Sequence, residues 1–153
     1  QIDAGCLYHF PGDRPDLDHM PAEFTDLLLA MPRDHRLANL ERIELADLRG
    51  EPTVWIRRST QPATYDLLMM CCLSCGLSPN IVQETTSEAI SLGLVSVGGM
   101  LSFVTDTNRE RCPGNVVLRS VDDLRIQFRL DLVWRKKDVQ PTLHRFIETM
   151  RDF

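Results

Sequence analysis

The sequence predicts an α/β fold built around a parallel sheet, and three observations carry that prediction. Across residues 52–105, short apolar runs alternate with helix-like runs in the order strand, helix, strand, helix, strand. The helix-like runs carry their own punctuation: Gly76 stops the first, and Thr85, three residues before Glu88, opens the second at capping-box spacing. Residues 125–134 alternate strictly between apolar and polar, the period of a strand with one face buried. Units of the β-α-β kind make parallel sheets with right-handed crossovers.

The elements follow in order. "DAGCLY" (3–8) is a short apolar strand. Residues 10–21 carry three prolines and three aspartates and read as a loop. "FTDLLLAM" (24–31) is the next strand, ended by Pro32, and a polar connection follows it. "ELADLRG" (44–50) is one helical turn closed by Gly50. "PTVWI" (52–56) is a compact buried strand, and residues 57–62 are a loop. "ATYDLLMMCCLSC" (63–75) is a helix apolar over most of its surface, so it should be buried on one side and covered on the other. "NIVQE" (80–84) is a strand, and the helix opened by Thr85 carries Ile90, Leu94 and Val97 at helical spacing. "MLSFVT" (100–105), "NVVLRSV" (115–121) and "RIQFRLDLVW" (125–134) are strands. In the last, Ile126, Phe128, Leu130, Leu132 and Trp134 face one way and Arg125, Gln127, Arg129 and Asp131 the other. A closing helix starts at Pro141 and buries Leu143, Phe146, Ile147 and Met150.

Composition bounds the function. The 153 residues, 43% of them hydrophobic and 25% charged, suit a globular domain with a real core. A net charge of −5 offers no nucleic-acid or membrane surface, and no apolar run is long enough to span a bilayer. The start, "QIDAGCLYHF", lacks Met and shows no signal peptide, so the chain reads as a fragment or a processed product. Cys6, Cys71, Cys72, Cys75 and Cys112 are odd in number, with three in one short segment. They read as reduced thiols in a cytoplasmic protein rather than a disulfide framework.

Ligands of a parallel α/β sheet sit beyond the carboxyl ends of its strands. Here those ends are Ile56 into Arg57, Arg58, Ser59 and Thr60; Glu84 into Thr85, Thr86 and Ser87; and Val104 into Thr105, Asp106 and Thr107. The first two run into helix starts, where free backbone N–H groups favour anions, and the two arginines add charge. Such a rim suits a small carboxylate; the other reading of these ends is plain loop. Gly98-Gly99 stops a helix or lets backbone approach a ligand; it is not a dinucleotide fingerprint. No nucleophile, base and orienting group stand together in a motif, so no catalytic residues and no enzyme activity are expected. No cofactor or metal site is expected either, since one helix carrying Cys71, Cys72 and Cys75 cannot build a tetrahedral set alone. Buried, inert thiols are favoured over redox sensing there, and the four histidines read as solvated.

The chain also resembles a known family. "DLLLAMPRDHRLA", "IELADLRGEPTVWI", "YDLLMMCCLSCGLSPNIVQE", "GLVSVGGMLSFVT" and "LVWRKK…PTLHRFIETMR" resemble, in the right order and over the full length, segments of the effector-binding regulatory domain of LysR-type transcriptional regulators. Thr105 stands where that family usually has Pro, Arg36 where Pro is common and Thr53 where an aromatic is common. The resemblance implies a two-subdomain, periplasmic-binding-protein-like regulatory fold with the first subdomain incomplete at its N-terminus. Residues 1–51 and 138–153 would be part of subdomain I, and 52–137 subdomain II. It implies that a small effector binds in the inter-subdomain cleft and changes DNA contacts by favouring one relative orientation. The implied effector-binding residues are Cys6, Leu7, Arg57, Arg58, Ser59, Thr60, Thr85, Gly99, Ser102, Phe103 and Thr105. The implied partners are the effector, further copies of the chain (a dimer through regulatory domains, a tetramer of the full-length protein) and DNA through a helix-turn-helix outside this sequence; no membrane is implied. A free-standing solute-binding protein or small enzyme of similar fold is the alternative.

Overall fold

The computed structural model describes residues 4–8, 16–137 and 141–151. Its elements are β1 (Ala4–Tyr8), β2 (Leu17–Pro32), β3 (Pro52–Ile56), α1 (Pro62–Ser74), β4 (Asn80–Thr85), α2 (Glu88–Gly98), β5 (Leu101–Thr105), β6 (Val116–Arg119), β7 (Gln127–Arg135) and α3 (Pro141–Arg151). Contacts divide the chain into two compact units, Gln1–Thr25 with Gln127–Phe153, and Asp26–Ile126. These limits differ from the sequence-based ones at 51/52 and 137/138. The difference arises because the second half of β2 pairs with β5 and β6 and so belongs with the parallel strands.

The second unit holds the expected β-α-β-α-β arrangement. β3 lies between β4 and β5 and is parallel to both. Thr53, Val54 and Trp55 are buried, as a parallel strand covered on both faces requires. β2 adds antiparallel to β5, with Leu27 opposite Thr105 and Ala30 opposite Ser102. Ala30, Leu92, Val95, Val104 and Val116 form a core cluster between this sheet and α2. Gly50, Gly76 and Gly99 all take positive φ, and Gly99 caps α2 in the left-handed conformation at φ 65°. Downstream of β2, the Arg119 guanidinium donates to the carbonyls of Ala38, Leu40 and Glu41, holding the loop before the 45–48 turn.

In the first unit β1 pairs antiparallel with β7, with Cys6 opposite Leu132 and Leu7 opposite Asp131. Leu132, Trp134 and Ile147 form its core cluster, with Ala4, Met20 and Leu143 packed against it.

Five sequence expectations are corrected. β2 begins at Leu17, so residues 17–21 are strand rather than loop; residues 9–15 lie outside the described residues. The N-cap of α2 is Ser87, whose hydroxyl accepts the Ile90 N–H at 3.4 Å, while Thr85 ends β4. The far side of α1 is not covered within this chain's described residues: Met70 is 62% and Leu73 60% exposed. Asp131 points inward rather than to solvent, at 2% exposure, and its two oxygens accept from Arg129 at 2.7 and 2.9 Å. That pairing is what a buried carboxylate needs. Phe146 of α3, expected in the buried stripe, is about half exposed.

Candidate functional site at the strand ends of the second unit

The parallel register sets the site. Ile56 lies opposite Thr85, and the Arg57 N–H donates to the Thr85 carbonyl at 2.9 Å, so β3 and β4 end side by side. β5 runs parallel on the other side of β3 and ends at Thr105. Both helices start from this edge, α1 after Gln61 and α2 after Ser87.

The two helix starts differ in charge. At α2, Glu88 turns its carboxylate onto the end of β5. It accepts the Thr105 N–H at 3.0 Å, the Thr105 hydroxyl at 2.7 Å and the Asn108 side-chain amide. The Thr107 hydroxyl in turn lies 2.8 Å from that of Thr105. An anion there would meet a carboxylate already in place. At the β3–α1 side, Arg57 is exposed and makes no ion pair among the described residues. Arg58 is committed elsewhere: it grips both oxygens of Asp66 at 2.7 Å. That hydrogen bond holds the Asp66 carboxyl below its usual range and raises the Arg58 guanidinium. Ser59 and Thr60 are exposed in the connecting turn, where the Thr60 N–H donates to the Arg57 carbonyl at 2.9 Å.

The remaining expected residues are not all at this edge. The buried Thr85 hydroxyl is engaged with Ser91 at 2.8 Å. Ser102 is 1% exposed and donates to the Val54 carbonyl at 2.8 Å, which makes it an interior brace between β5 and β3. Gly99 precedes β5, at the amino end of the parallel strands, and does not join the rim. Cys6 and Leu7 are exposed residues of β1 in the first unit.

Phe103 lines a cavity of about 30 Å³ at this edge. Trp55 lines it too, held edge-on between Tyr65 (ring centroids 5.2 Å apart) and Phe103 (6.4 Å). Gln61, Thr64, Leu27 and Glu88 complete much of the lining. The sequence reading passed over Trp55 and Tyr65. The available signal was a large aromatic one residue before the end of a buried parallel strand, with a second aromatic in the first turn of the next helix.

Among the described residues, no group of His, Cys, Asp or Glu is placed to hold a metal ion, and no helix is long and apolar enough to cross a membrane. Burial pushes the Cys72 thiol up to about 12, and the neighbouring Cys75 and Cys71 add to the rise.

Comparison with known proteins matches this architecture. The chain is 32% identical over 146 residues to the HTH-type transcriptional regulator AlsR of Bacillus subtilis (strain 168), covering 95% of this chain and 48% of AlsR. Its structure superposes on that of CbnR, a LysR family transcriptional regulator, with a TM-score of 0.81 at 23% identity, over 99% of this chain and 52% of CbnR. The BenM effector-binding domain with its effector benzoate matches with a TM-score of 0.78 at 22% identity, over 99% of this chain and 68% of that one. The fold is therefore the mixed α/β fold of LysR effector-binding domains, and the chain spans about half the length of the regulators it matches. The LysR substrate-binding domain model matches residues 1–153, and the chain belongs to that family.

Proposed function

We propose that this chain is the effector-binding part of a LysR-type transcriptional regulator and that its effector is a small carboxylate. The observation that carries the carboxylate is Arg57: an exposed guanidinium, unpaired among the described residues, beside the start of α1 and across from the Thr85 strand end. Arginine binds carboxylate through paired N–H donors, and the helix start adds backbone donors of the same sign. Ser59 and Thr60 supply hydroxyls next to it; Thr105 is buried with its N–H and hydroxyl taken by Glu88, and is assigned to the effector by the family resemblance alone. Arg58 contributes less, because Asp66 already occupies it. Cys6 and Leu7 are assigned to the effector by the family resemblance alone. That BenM takes benzoate as its effector supports the same ligand class.

Effector binding controls transcription by favouring one state of a regulator that contacts DNA through a helix-turn-helix outside this sequence. The protein works in the cytoplasm as a homo-oligomer, dimeric through its regulatory domains and tetrameric at full length, and has no membrane partner. The test is a thermal-shift screen of small carboxylates, benzoate included, on the full-length protein. A ligand that binds only the folded state raises the melting temperature. The expected result is a shift from one class of acid that Arg57→Ala abolishes. Shifts that survive Arg57→Ala, or none from any acid, overturn the carboxylate reading.

A further inference from the structure

Three thiols stand within one turn at the carboxyl end of α1. The sequence favours buried thiols there, yet only Cys72 is buried; Cys71 is half-buried and Cys75 is exposed. Cys71 and Cys75 are four residues apart, which puts them on one side of the helix with Cβ atoms about 5–6 Å apart. The turn that carries them is fixed by its own hydrogen bonds. The Cys75 N–H donates to the Cys72 carbonyl at 3.2 Å, the Leu77 N–H donates to the same carbonyl at 2.9 Å, and Gly76 turns the chain at φ 73°. The Cys75 thiol also donates to the Cys72 carbonyl, at 3.1 Å, so its sulfur is turned back against the helix. Charge on either Cys75 or Cys71 raises the Cys72 thiol, so the three sulfurs share one neighbourhood.

We propose that Cys71 and Cys75 form a binding site for trivalent arsenic, taken up as its oxyacid and bridged between the two sulfurs. The ligand follows from the number of donors. A structural zinc needs four, and among the described residues no group of three or more His, Cys, Asp or Glu is placed to hold a metal ion. Trivalent arsenic is a soft, thiol-seeking centre that two thiols suffice to hold. With As(OH)3, two S–As bonds form and two As–OH bonds break, and each hydroxide leaves with a thiol proton as water. Arsenic stays trivalent and keeps its third hydroxyl, so no oxidant or reductant is consumed. Cys72 takes no part, since its sulfur is buried. The 13 residues of α1 put this site about 20 Å from the Arg57 end of the helix, so it is independent of the carboxylate reading.

The test uses the full-length protein with sodium arsenite and with phenylarsine oxide, which loses its oxygen as one water when two thiols take it up. The readout is iodoacetamide labelling of Cys75, read by mass spectrometry on the tryptic segment between Arg58 and Arg109, whose only cysteines are Cys71, Cys72 and Cys75. Both arsenicals should block labelling of Cys75. The phenylarsine oxide block should survive an excess of mercaptoethanol, a monothiol, and be lifted by 2,3-dimercaptopropanol. In Cys71→Ser, about 100-fold more phenylarsine oxide should be needed, because the second thiol no longer adds its effective concentration. Cys72 staying unlabelled shows that the variant is folded. Labelling of Cys75 that proceeds at saturating phenylarsine oxide overturns the proposal, as does a block that mercaptoethanol lifts, the behaviour of a single thiol. An equal block in parent and Cys71→Ser overturns it too, and so does failure of arsenite to block Cys75.

Discussion

Glu88 accepts both the backbone N–H of Thr105, at 3.0 Å, and its hydroxyl, at 2.7 Å, so the first residue of α2 ties down the last residue of β5. Many relatives carry proline at that position, according to the family resemblance. Thr105 has φ −75°, an angle proline accepts without strain. Thr105→Pro should therefore fold, lose both bonds to Glu88 and unfold about 1–3 kcal/mol more easily in urea. In Glu88→Ala the same substitution should cost much less, and the double-mutant cycle should return a coupling of about 0.5–3 kcal/mol. Additive effects would mean that the two residues do not support each other.

Arg57 and Arg58 are adjacent but not equivalent. Arg57→Ala should weaken binding of a carboxylate effector about 10- to 100-fold, the effect of losing a charge-assisted hydrogen bond. Arg58→Ala should change it far less, because Asp66 already holds that guanidinium. In Arg58→Ala the Asp66 carboxyl should titrate at higher pH than in the parent, which an NMR titration of the side chain would read.

Gly99 separates conformation from crowding. A methyl group added there meets nothing within 4 Å, yet its φ is 65°. Gly99→Ala should cost about 1 kcal/mol, measured by chemical unfolding, all of it from the left-handed backbone. Gly99→Asn should recover part of that, since asparagine tolerates this conformation.

The Cys72 thiol sits at about 12 in the folded protein against 9.0 when exposed. Folding thus favours its protonated form. The stability this contributes is complete below pH 9 and declines as pH rises from there towards 12. Unfolding free energy measured against pH should fall across that window, and Cys72→Ala should flatten the fall. Near neutral pH, iodoacetamide should label the exposed Cys6 and Cys75 and leave Cys72 unmodified until the protein unfolds.

The parallel unit was legible in the sequence because each of its elements depends on local pattern. "PTVWI" is apolar and β-branched, Gly76 stops a helix, and the strand ends turn polar where the structure places them. The site was legible only in outline. Arg57 and Arg58 look alike in sequence, and what separates them is an aspartate eight residues away, brought round by the first turns of α1. Glu88 reads as half of a capping box with Thr85, but its carboxylate goes to Thr105, 17 residues on, a partner that exists only after the sheet forms. Ser102 reads as a cleft residue only through the family resemblance; side-chain direction along the pleat turns it inward to Val54. Trp55 reads as core, and nothing in a linear sequence shows that its N–H lacks an acceptor among the described residues. The start of β2 was missed because prolines and aspartates signal loops, whereas pairing with β7 holds residues 17–21 extended.

β2 is one strand with two timescales. Over residues 27–31 its side chains are buried, and Leu29 and Ala30 are paired on both sides, with β5 and with β6. Over residues 21–24 its side chains are exposed. Amide hydrogens of the first stretch should exchange with solvent only when the whole unit opens, and those of the second through smaller, more frequent openings. A deuterium-exchange profile along β2 should therefore step between Phe24 and Leu27 rather than slope. The position of that step would show, at single-residue resolution, where one cooperative folding unit hands the chain to the other.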